Sequence, residues 1–404
     1  MTTHNEPARF IEQADVVIVG AGPAGLSMAR ALAPSGLAIT IVEKNDRATL
    51  AEPPFDGREI ALTHYSKELM QKLQLWSKIS PEEIYPLRDA KVINGHSNYQ
   101  LHFEQPTKAR GKPANSLGFL ISNHNIRRAA YEAVLPYENI QIIDGHSITE
   151  VNNSQPETIE AVLDNGQILK SKLLIAADSR FSGIRRQLGI GANMRDFGRT
   201  VIVFRMRHTL TNQHTAFECF HYGRTLALLP LEENLTNCVI TINNEYVKEI
   251  LSMTPTQLEE DIKKQLRGKL GDMTLASTIH HYPLVGVHAN TFYTHRAALI
   301  GDAAVGMHPV TAHGFNLGLN SVGILAKKIN DAVQQGKDIG SSALLASYQR
   351  HHMPHTLALY HGTNAMISLF TNDTPPARLV RSMVLRVSNN LPPLKKLISL
   401  QLTG

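Results

Sequence analysis

The run Asp15-Val-Val-Ile-Val-Gly20 leads straight into Gly20-Ala-Gly22-Pro-Ala24-Gly25, a Gly-x-Gly-x-x-Gly turn. Consecutive β-branched apolar residues without alternation mark a strand buried on both faces. Ser27 to Ala33 reads as a helix stopped by Pro34-Ser35-Gly36, and Ala38 to Val42 as a second strand closed by Glu43. Together these make a strand–helix–strand unit of about 30 residues. In such a unit the first glycine permits the tight turn. The second lets the backbone approach a pyrophosphate, and the third lets helix and strand pack closely. Free N–H groups and the helix dipole favour the anion there. Glu43 and the adjoining Lys44 fall about 20 residues past the turn, where a carboxylate accepts hydrogen bonds from ribose hydroxyls. A carboxylate there also disfavours a 2′-phosphate. The unit calls for a dinucleotide but does not say which one.

The remainder of the chain narrows the choice. With 404 residues, 43% hydrophobic and 19% charged, it has material for a sizeable core. A net charge of +5 without interleaved aromatic and basic residues argues against nucleic acid. Two cysteines, Cys219 and Cys238, have no metal-site spacing and read as reduced core thiols, and no metal is expected. Met1 to Gln13 lacks the apolar core of a signal peptide, and no run reaches the roughly 18 apolar residues of a membrane span. The expected location is cytoplasmic, with peripheral contact on the inner face of the membrane as an extension. Strands are expected at Val162 to Gly166, Leu173 to Ala177, Val201 to Arg207, Phe217 to Phe220, Thr225 to Leu229, Cys238 to Asn243 and Ala297 to Ile300. Helices are expected at Thr254 to Leu270, capped by Thr254 with Pro255 first, and at Leu317 to Val333.

Two further motifs follow. Ala177-Asp178-Ser179-Arg180 comes after the Leu173 strand, with Ser182, Arg185 and Arg186 behind it. Leu299-Ile-Gly301-Asp302-Ala-Ala304 follows the last strand and precedes a glycine-bearing loop at Gly314 and Gly318. With these three motifs in order, the chain resembles the single-component flavin aromatic hydroxylases of the para-hydroxybenzoate hydroxylase fold. Gly57-Arg58-Glu-Ile-Ala-Leu-Thr63, Leu226-Ala-Leu-Leu-Pro230-Leu, Tyr282-Pro-Leu284 and Pro392-Pro-Leu-Lys-Lys396 are most similar to the ubiquinone-biosynthesis hydroxylases. Departures occur at Ser179, at Val305, at Thr311-Ala-His313-Gly314-Phe315-Asn316 and at Ser321. That pattern resembles the UbiM-like branch of 5-demethoxyubiquinol hydroxylases.

The resemblance implies an α/β fold: a Rossmann-like FAD-binding domain, an inserted β-sheet substrate domain and C-terminal helices. The FAD domain would be discontinuous, over 1–88, 116–182 and 289–345. The substrate domain would take 89–115 and 183–288, and the C-terminal helical region 346–404. FAD would be held by Gly20, Gly22, Ala24, Gly25, Glu43, Lys44, Arg58, Asp178, Gly301, Asp302, Gly314, Phe315 and Asn316. Arg127 or Arg128 would lie on its adenosine side. His313 and Pro309 would belong to the flavin-ring loop, His313 as an acid–base or flavin-contacting group. Met206, Phe217, Phe220, Leu228 and Pro230 are candidate pocket walls, although strand side chains alternate and core packing competes as a reading for them.

The implied activity is aromatic-ring monooxygenation of a polyprenylated phenol or quinol. NAD(P)H, bound transiently, reduces FAD, O₂ adds at the flavin C4a position, and its distal oxygen passes to the ring. Partners would be that hydrophobic substrate and an assembly of quinone-biosynthesis proteins. Two alternatives stand beside it. One is a hydroxylase or reductase of another substrate on the same fold. The other is a non-catalytic FAD-binding accessory protein. After Pro376, apolar residues alternate with Arg378, Arg381 and Arg386, with Lys395 and Lys396 further on, which suits an anionic lipid surface, whereas Ser341 to Phe370 suits packing on the FAD domain or at a subunit contact. Truncation after Asp373 is expected to move the protein from the membrane fraction to the supernatant; an unchanged partition would remove the lipid contact.

Overall fold

The computed structural model describes residues 11–94, 100–220, 223–307 and 313–370, with Thr374, Val380 and Val384 beyond them. The strand Val16–Val19 lies buried between two parallel neighbours, Ile39–Glu43 and Leu173–Ala176. The whole sheet runs Ile140–Asp144, Ile39–Glu43, Val16–Val19, Leu173–Ala176, Ala297–Leu299 and Tyr293–Thr294, with only the last pair antiparallel. The chain leaves Val16–Val19 towards one edge and later returns to its other side. A parallel sheet opens a crevice at such a switch point, at the carboxyl ends of the strands. The helix Pro23–Leu32 begins at Pro23, earlier than the expected Ser27, because proline at the first helical position loses no hydrogen bond. Helices Asn123–Val134 and His313–Gln334 pack against it. The edge strand Ile140–Asp144, absent from the sequence expectations, alternates buried and exposed residues too weakly to stand out.

Among the described residues, a second sheet has nine strands, one of them, the short Met273–Leu275, off its main order. Its spine is Ala192–His208, 17 residues long where only Val201 to Arg207 was expected. Its first half reads as polar because Arg195 and Asp196 are exposed, and the register shifts between Asp196 and Thr200. Leu235–Asn243, Arg224–Pro230 and Thr215–Phe220 follow, and Asp89–Asn94 and Gln100–Phe103 close that side. His280–Ala289 and Val305–Gly306 lie on the other side.

The two faces of this sheet have different partners. The outer face carries Phe204, Met206, Leu226, Leu228, Cys238 and Ile240, packed with Leu258, Ile262 and Leu266 of the flanking helix. That helix, Pro255–Gln265, is held by a capping box between Thr254 and Gln257 and ends before the expected Leu270, at the turn where Arg267 and Gly268 have positive φ. Cys219 and Cys238 are buried free thiols of this layer. The inner face carries Val201, Val203 and Val239 at one end and Phe220, with Leu101, Phe103 and Leu117, at the other.

Residues Asp56 to Thr63 bind the sheets together. Glu59, whose side chain is fully buried, accepts from Arg205 Nε at 3.1 Å and from Ser122 Oγ at 2.9 Å. Asn237 Nδ2 donates to the Gly57 carbonyl at 3.2 Å, and Tyr282 Oη to the Asp56 carbonyl at 2.7 Å. Burial outweighs the Arg205 charge and leaves the Glu59 carboxyl above its ordinary range. The helix Ser342–Phe370 then buckles both units: Tyr348 Oη donates to Leu299 O at 2.9 Å and Tyr360 Oη to Asn193 O at 3.2 Å. Among the described residues, no helix is long and apolar enough to cross a membrane.

Removing one member of a buried ion pair leaves the other charge without compensation, at a cost of about 3–5 kcal/mol. Arg205→Met is therefore expected to lower stability by that order in urea unfolding, and adding Glu59→Leu is expected to restore most of it. A single variant as stable as the parent would show that the pair does not tie the domains.

Candidate active site

The first glycine turn leaves no freedom in its side chains. Gly20 has φ +103°, and a Cβ there would lie 2.7 Å from the Ala177 carbonyl oxygen. A Cβ on Gly25 would collide with the Gly20 carbonyl. Gly22 differs: nothing lies within 4 Å of its Cβ position. It is also the N-cap of Pro23–Leu32 and supplies no side-chain hydrogen bond. The first N–H groups of this helix are thus uncapped by any side chain, beside open space on the turn. Glu43 stands next to them. Its Oε2 accepts from Ala21 N at 2.7 Å, and Oε1 from Asn45 N at 3.0 Å and Nδ2 at 2.6 Å. These bonds aim the carboxylate and still leave lone pairs for a ribose. Lys44 is exposed beside it.

The second glycine turn meets the first. Gly301 has φ +57°, and a Cβ on it would come within 2.9 Å of Ala24 Cβ. Gly318 lies over both, its Cβ position 3.5 Å from Gly301 Cα and 3.9 Å from Ala24 Cβ. Gly301 N–H donates to Ser321 Oγ at 3.3 Å, and Ser321 donates to Gly318 O at 2.6 Å, so the serine joins the turn to the long helix. Gly314, the second residue of that helix, has nothing near its Cβ position, and Phe315 is half-buried against the main core. His313 is its first residue. Pro309 lies outside the described residues.

Two arginines staple these turns, and neither was among the expected contacts. Arg180 donates to Asp302 Oδ2 and to Val285 O, both at 3.0 Å. The Arg185 side chain is buried and donates to Ala303 O at 2.9 Å. Asp178 prepares this geometry. It accepts from Ser182 Oγ at 2.6 Å and Gly183 N at 2.9 Å, fixing the short helix Gly183–Gln187 that carries Arg185. The expected cofactor contact at Asp178 is thus engaged within the protein. Asn316 is likewise engaged: it accepts from Thr63 N at 3.1 Å and donates to Ala61 O at 2.8 Å, docking the Gly57–Thr63 segment on the long helix.

Arg58 packs over the Tyr282 ring with its carbon Cζ 5.3 Å from the centroid, and its Nε donates to Asp56 Oδ2 at 3.0 Å. Burial works to raise Asp56, but the Arg58 charge and hydrogen bonds prevail and hold its carboxyl below the ordinary range. Between the two arginines considered for the adenosine side, Arg128 pairs with Glu83 at 3.1 Å, whereas Arg127 has no ion-pair partner among the described residues.

The pocket-wall expectations need correction. Met206 and Leu228 lie in the outer cluster against the helix Pro255–Gln265, and Phe217 packs against that cluster. Pro230 shares a register row with Thr236 and Met206, and so their face. Only Phe220 turns inward. Alternation splits each strand between two faces, and both faces here are apolar, so the sequence did not indicate which one is inner.

The Gly22 opening, the uncapped helix start, Glu43 and the Gly301 turn suit a dinucleotide whose two ends lie on different motifs. A family model described as an FAD binding domain matches residues 13–362. The chain is 61% identical over 390 residues to the ubiquinone hydroxylase UbiM of Neisseria meningitidis serogroup C, covering 96% of this chain and 84% of that protein. It is 30% identical to the ubiquinone hydroxylase UbiL of Rhodospirillum rubrum, over 95% and 88%. In fold it is similar to PqsL of Pseudomonas aeruginosa, a probable FAD-dependent monooxygenase (TM-score 0.77, 18% identity, 93% and 100% covered). It is also similar to p-nitrophenol 4-monooxygenase PnpA of Pseudomonas putida (TM-score 0.78, 16% identity, 97% and 99% covered).

Asp302→Ala removes the partner of Arg180 and an acceptor at the second turn, an interaction of about 1.5–3 kcal/mol. It is expected to purify with about tenfold less FAD per chain or lower, read from visible absorbance; a fully yellow variant would show that Asp302 does not serve the flavin. With its motifs joined in space and matched over most of its length, the chain belongs to the FAD-binding-domain family, among the ubiquinone-biosynthesis hydroxylases.

Proposed function

We propose that the chain is an FAD-dependent monooxygenase that hydroxylates the aromatic ring of a polyprenylated phenol or quinol precursor of ubiquinone, with NAD(P)H and O₂ as co-substrates. The observation that carries this reading is the meeting of Ala24, Gly301 and Gly318, next to a segment, Asp56 to Thr63, that faces the inner side of the large sheet. One end of this junction suits the dinucleotide, and the other presents an apolar face to a ring. The likeness to UbiM and UbiL supports the choice of substrate.

Bound FAD supplies the oxygen-activating chemistry that side chains lack. The protein supplies the rest. The uncapped start of Pro23–Leu32 holds the phosphates, and Glu43 holds the ribose. Arg180, locked between Val285 O and Asp302, keeps the second turn in place. Arg58, braced by Asp56 and Tyr282, offers a positive charge near Asp302. Val201, Val203, Val239 and Phe220 line the inner face and exclude water from it. His313 and Pro309 are assigned to the loop beside the flavin ring, His313 at the start of a helix whose dipole favours electron-rich groups. The segment from Arg378 is assigned to the inner membrane surface, where a polyprenyl substrate resides. A quinone-biosynthesis assembly is a partner on the same reading.

The test is complementation of bacteria that lack their own ring hydroxylases. Ubiquinone is expected to return and the accumulated precursor, one oxygen lighter at the ring, to disappear by mass spectrometry. If the precursor persists while the purified protein is yellow and does not oxidise NADH or NADPH, the accessory reading replaces this one.

A further inference from the structure

One ionisable group on the inner face is unexplained by cofactor binding or by the fold. Across successive strands Val92, Glu218, Ala227, Val239 and Val203 stand opposite one another. Directly opposed residues point to the same side of a sheet, so Glu218 shares the inner face with Val203. A Cβ on Gly57 would lie 2.8 Å from Val203 Cγ2, which places this row under the segment that joins the two domains. Glu218 is three strands from Val203, about 14 Å at the usual strand spacing. Its flanks in the row are Val92 and Ala227, and Phe220 follows on the same strand and face.

Among the described residues, the buried Glu218 Oε1 atom has no hydrogen-bond partner. Burial lifts its carboxyl to about 8. A group like this is neutral at neutral pH and offers both an O–H donor and a carbonyl acceptor. Left without partners it weakens the fold, since an unsatisfied buried polar group costs the whole of its desolvation. Its position suggests a partner that arrives from outside the chain, in a place where the rest of the wall is apolar. A phenolic hydroxyl is the matching chemistry, being a donor and an acceptor on an apolar ring. We propose that Glu218 anchors a ring hydroxyl of the substrate against the inner face of the large sheet, an inference that rests on the hydroxylase reading above. No proton changes owner in this contact: the carboxyl donates one hydrogen bond and accepts another, and thereby fixes which ring carbon faces the flavin.

The test uses FAD-loaded enzyme and a short-chain methoxyphenol, with binding followed by the change in flavin absorbance. Glu218→Leu keeps the volume and removes both hydrogen-bonding functions; Glu218→Gln keeps a donor and an acceptor. The Leu variant is expected to hold FAD and melt at or above the parent temperature. Its Kd and KM for the phenol are expected to rise about tenfold or more, and NAD(P)H oxidation to yield peroxide in place of product. The Gln variant is expected to stay within about threefold of the parent in Kd. A Leu variant that binds and couples like the parent overturns the anchor. So does loss of FAD or a lower melting point in both variants, which would make Glu218 a structural partner. If the parent enzyme neither binds nor hydroxylates the phenol, the hydroxylase reading fails and the anchor goes with it; that outcome is visible before any variant is made.

Discussion

Everything in this molecule rests on one close approach: Ala24 against Gly301, with Gly318 above them. These residues come from distant parts of the chain, and at Gly301 a methyl group would press against Ala24. The contact exists because Val16–Val19 and Ala297–Leu299 flank Leu173–Ala176 in one parallel sheet, so their carboxyl ends open into one crevice. The Gly301 N–H is taken by Ser321, while the first N–H groups of Pro23–Leu32 have no side-chain cap. A helix start and a second turn then face the same ligand from two directions. The arginines complete the arrangement, since Arg180 and Arg185 come from the turn and short helix that follow the strand between and grip the Gly301 turn by its Asp302 carboxylate and its Ala303 carbonyl.

The second constraint is the junction around Asp56 to Thr63. This short segment is held from three sides, by Asn316 on the long helix, by Ser122 and Arg205 at Glu59, and by Asn237 and Tyr282 of the large sheet. A buried ion pair here adds little net stability compared with an apolar pair, because desolvation offsets the attraction. What it adds is orientation. The guanidinium and carboxylate lock the sheet to the cofactor domain in one relative position, which a patch of valines and leucines would leave free to slide. The site needs that precision, because a ring must present one carbon to the reacting centre.

The local signals were fully legible. The Gly20 to Gly25 turn and the Thr254 cap work through residues close in sequence, so their spacing alone reveals them. The staples were not. Arg180, Arg185 and Arg205 look like any surface arginine until their carbonyl and carboxylate partners are brought to them from far along the chain. Asp178 and Asn316 were found as important but serve neighbouring backbone, a distinction that spacing does not make. Met206, Phe217 and Leu228 were read as pocket walls and turned out to face the helix Pro255–Gln265.

The sequence by itself determined that a nucleotide-binding turn exists, which cofactor class its ordered motifs match, and that an apolar sheet accompanies it. The turn follows from short-range backbone chemistry: glycines that admit close approach, a proline that starts a helix, a carboxylate closing a strand; the cofactor class follows from the family its ordered motifs resemble. The tertiary structure alone decided which face of the large sheet is the inner one, and that Glu218 shares it without a partner among the described residues. A strand's alternation sorts its residues into two sets with a fixed period of two. Only the packing of a helix on one side, and of the Gly57 segment on the other, says which set faces inward.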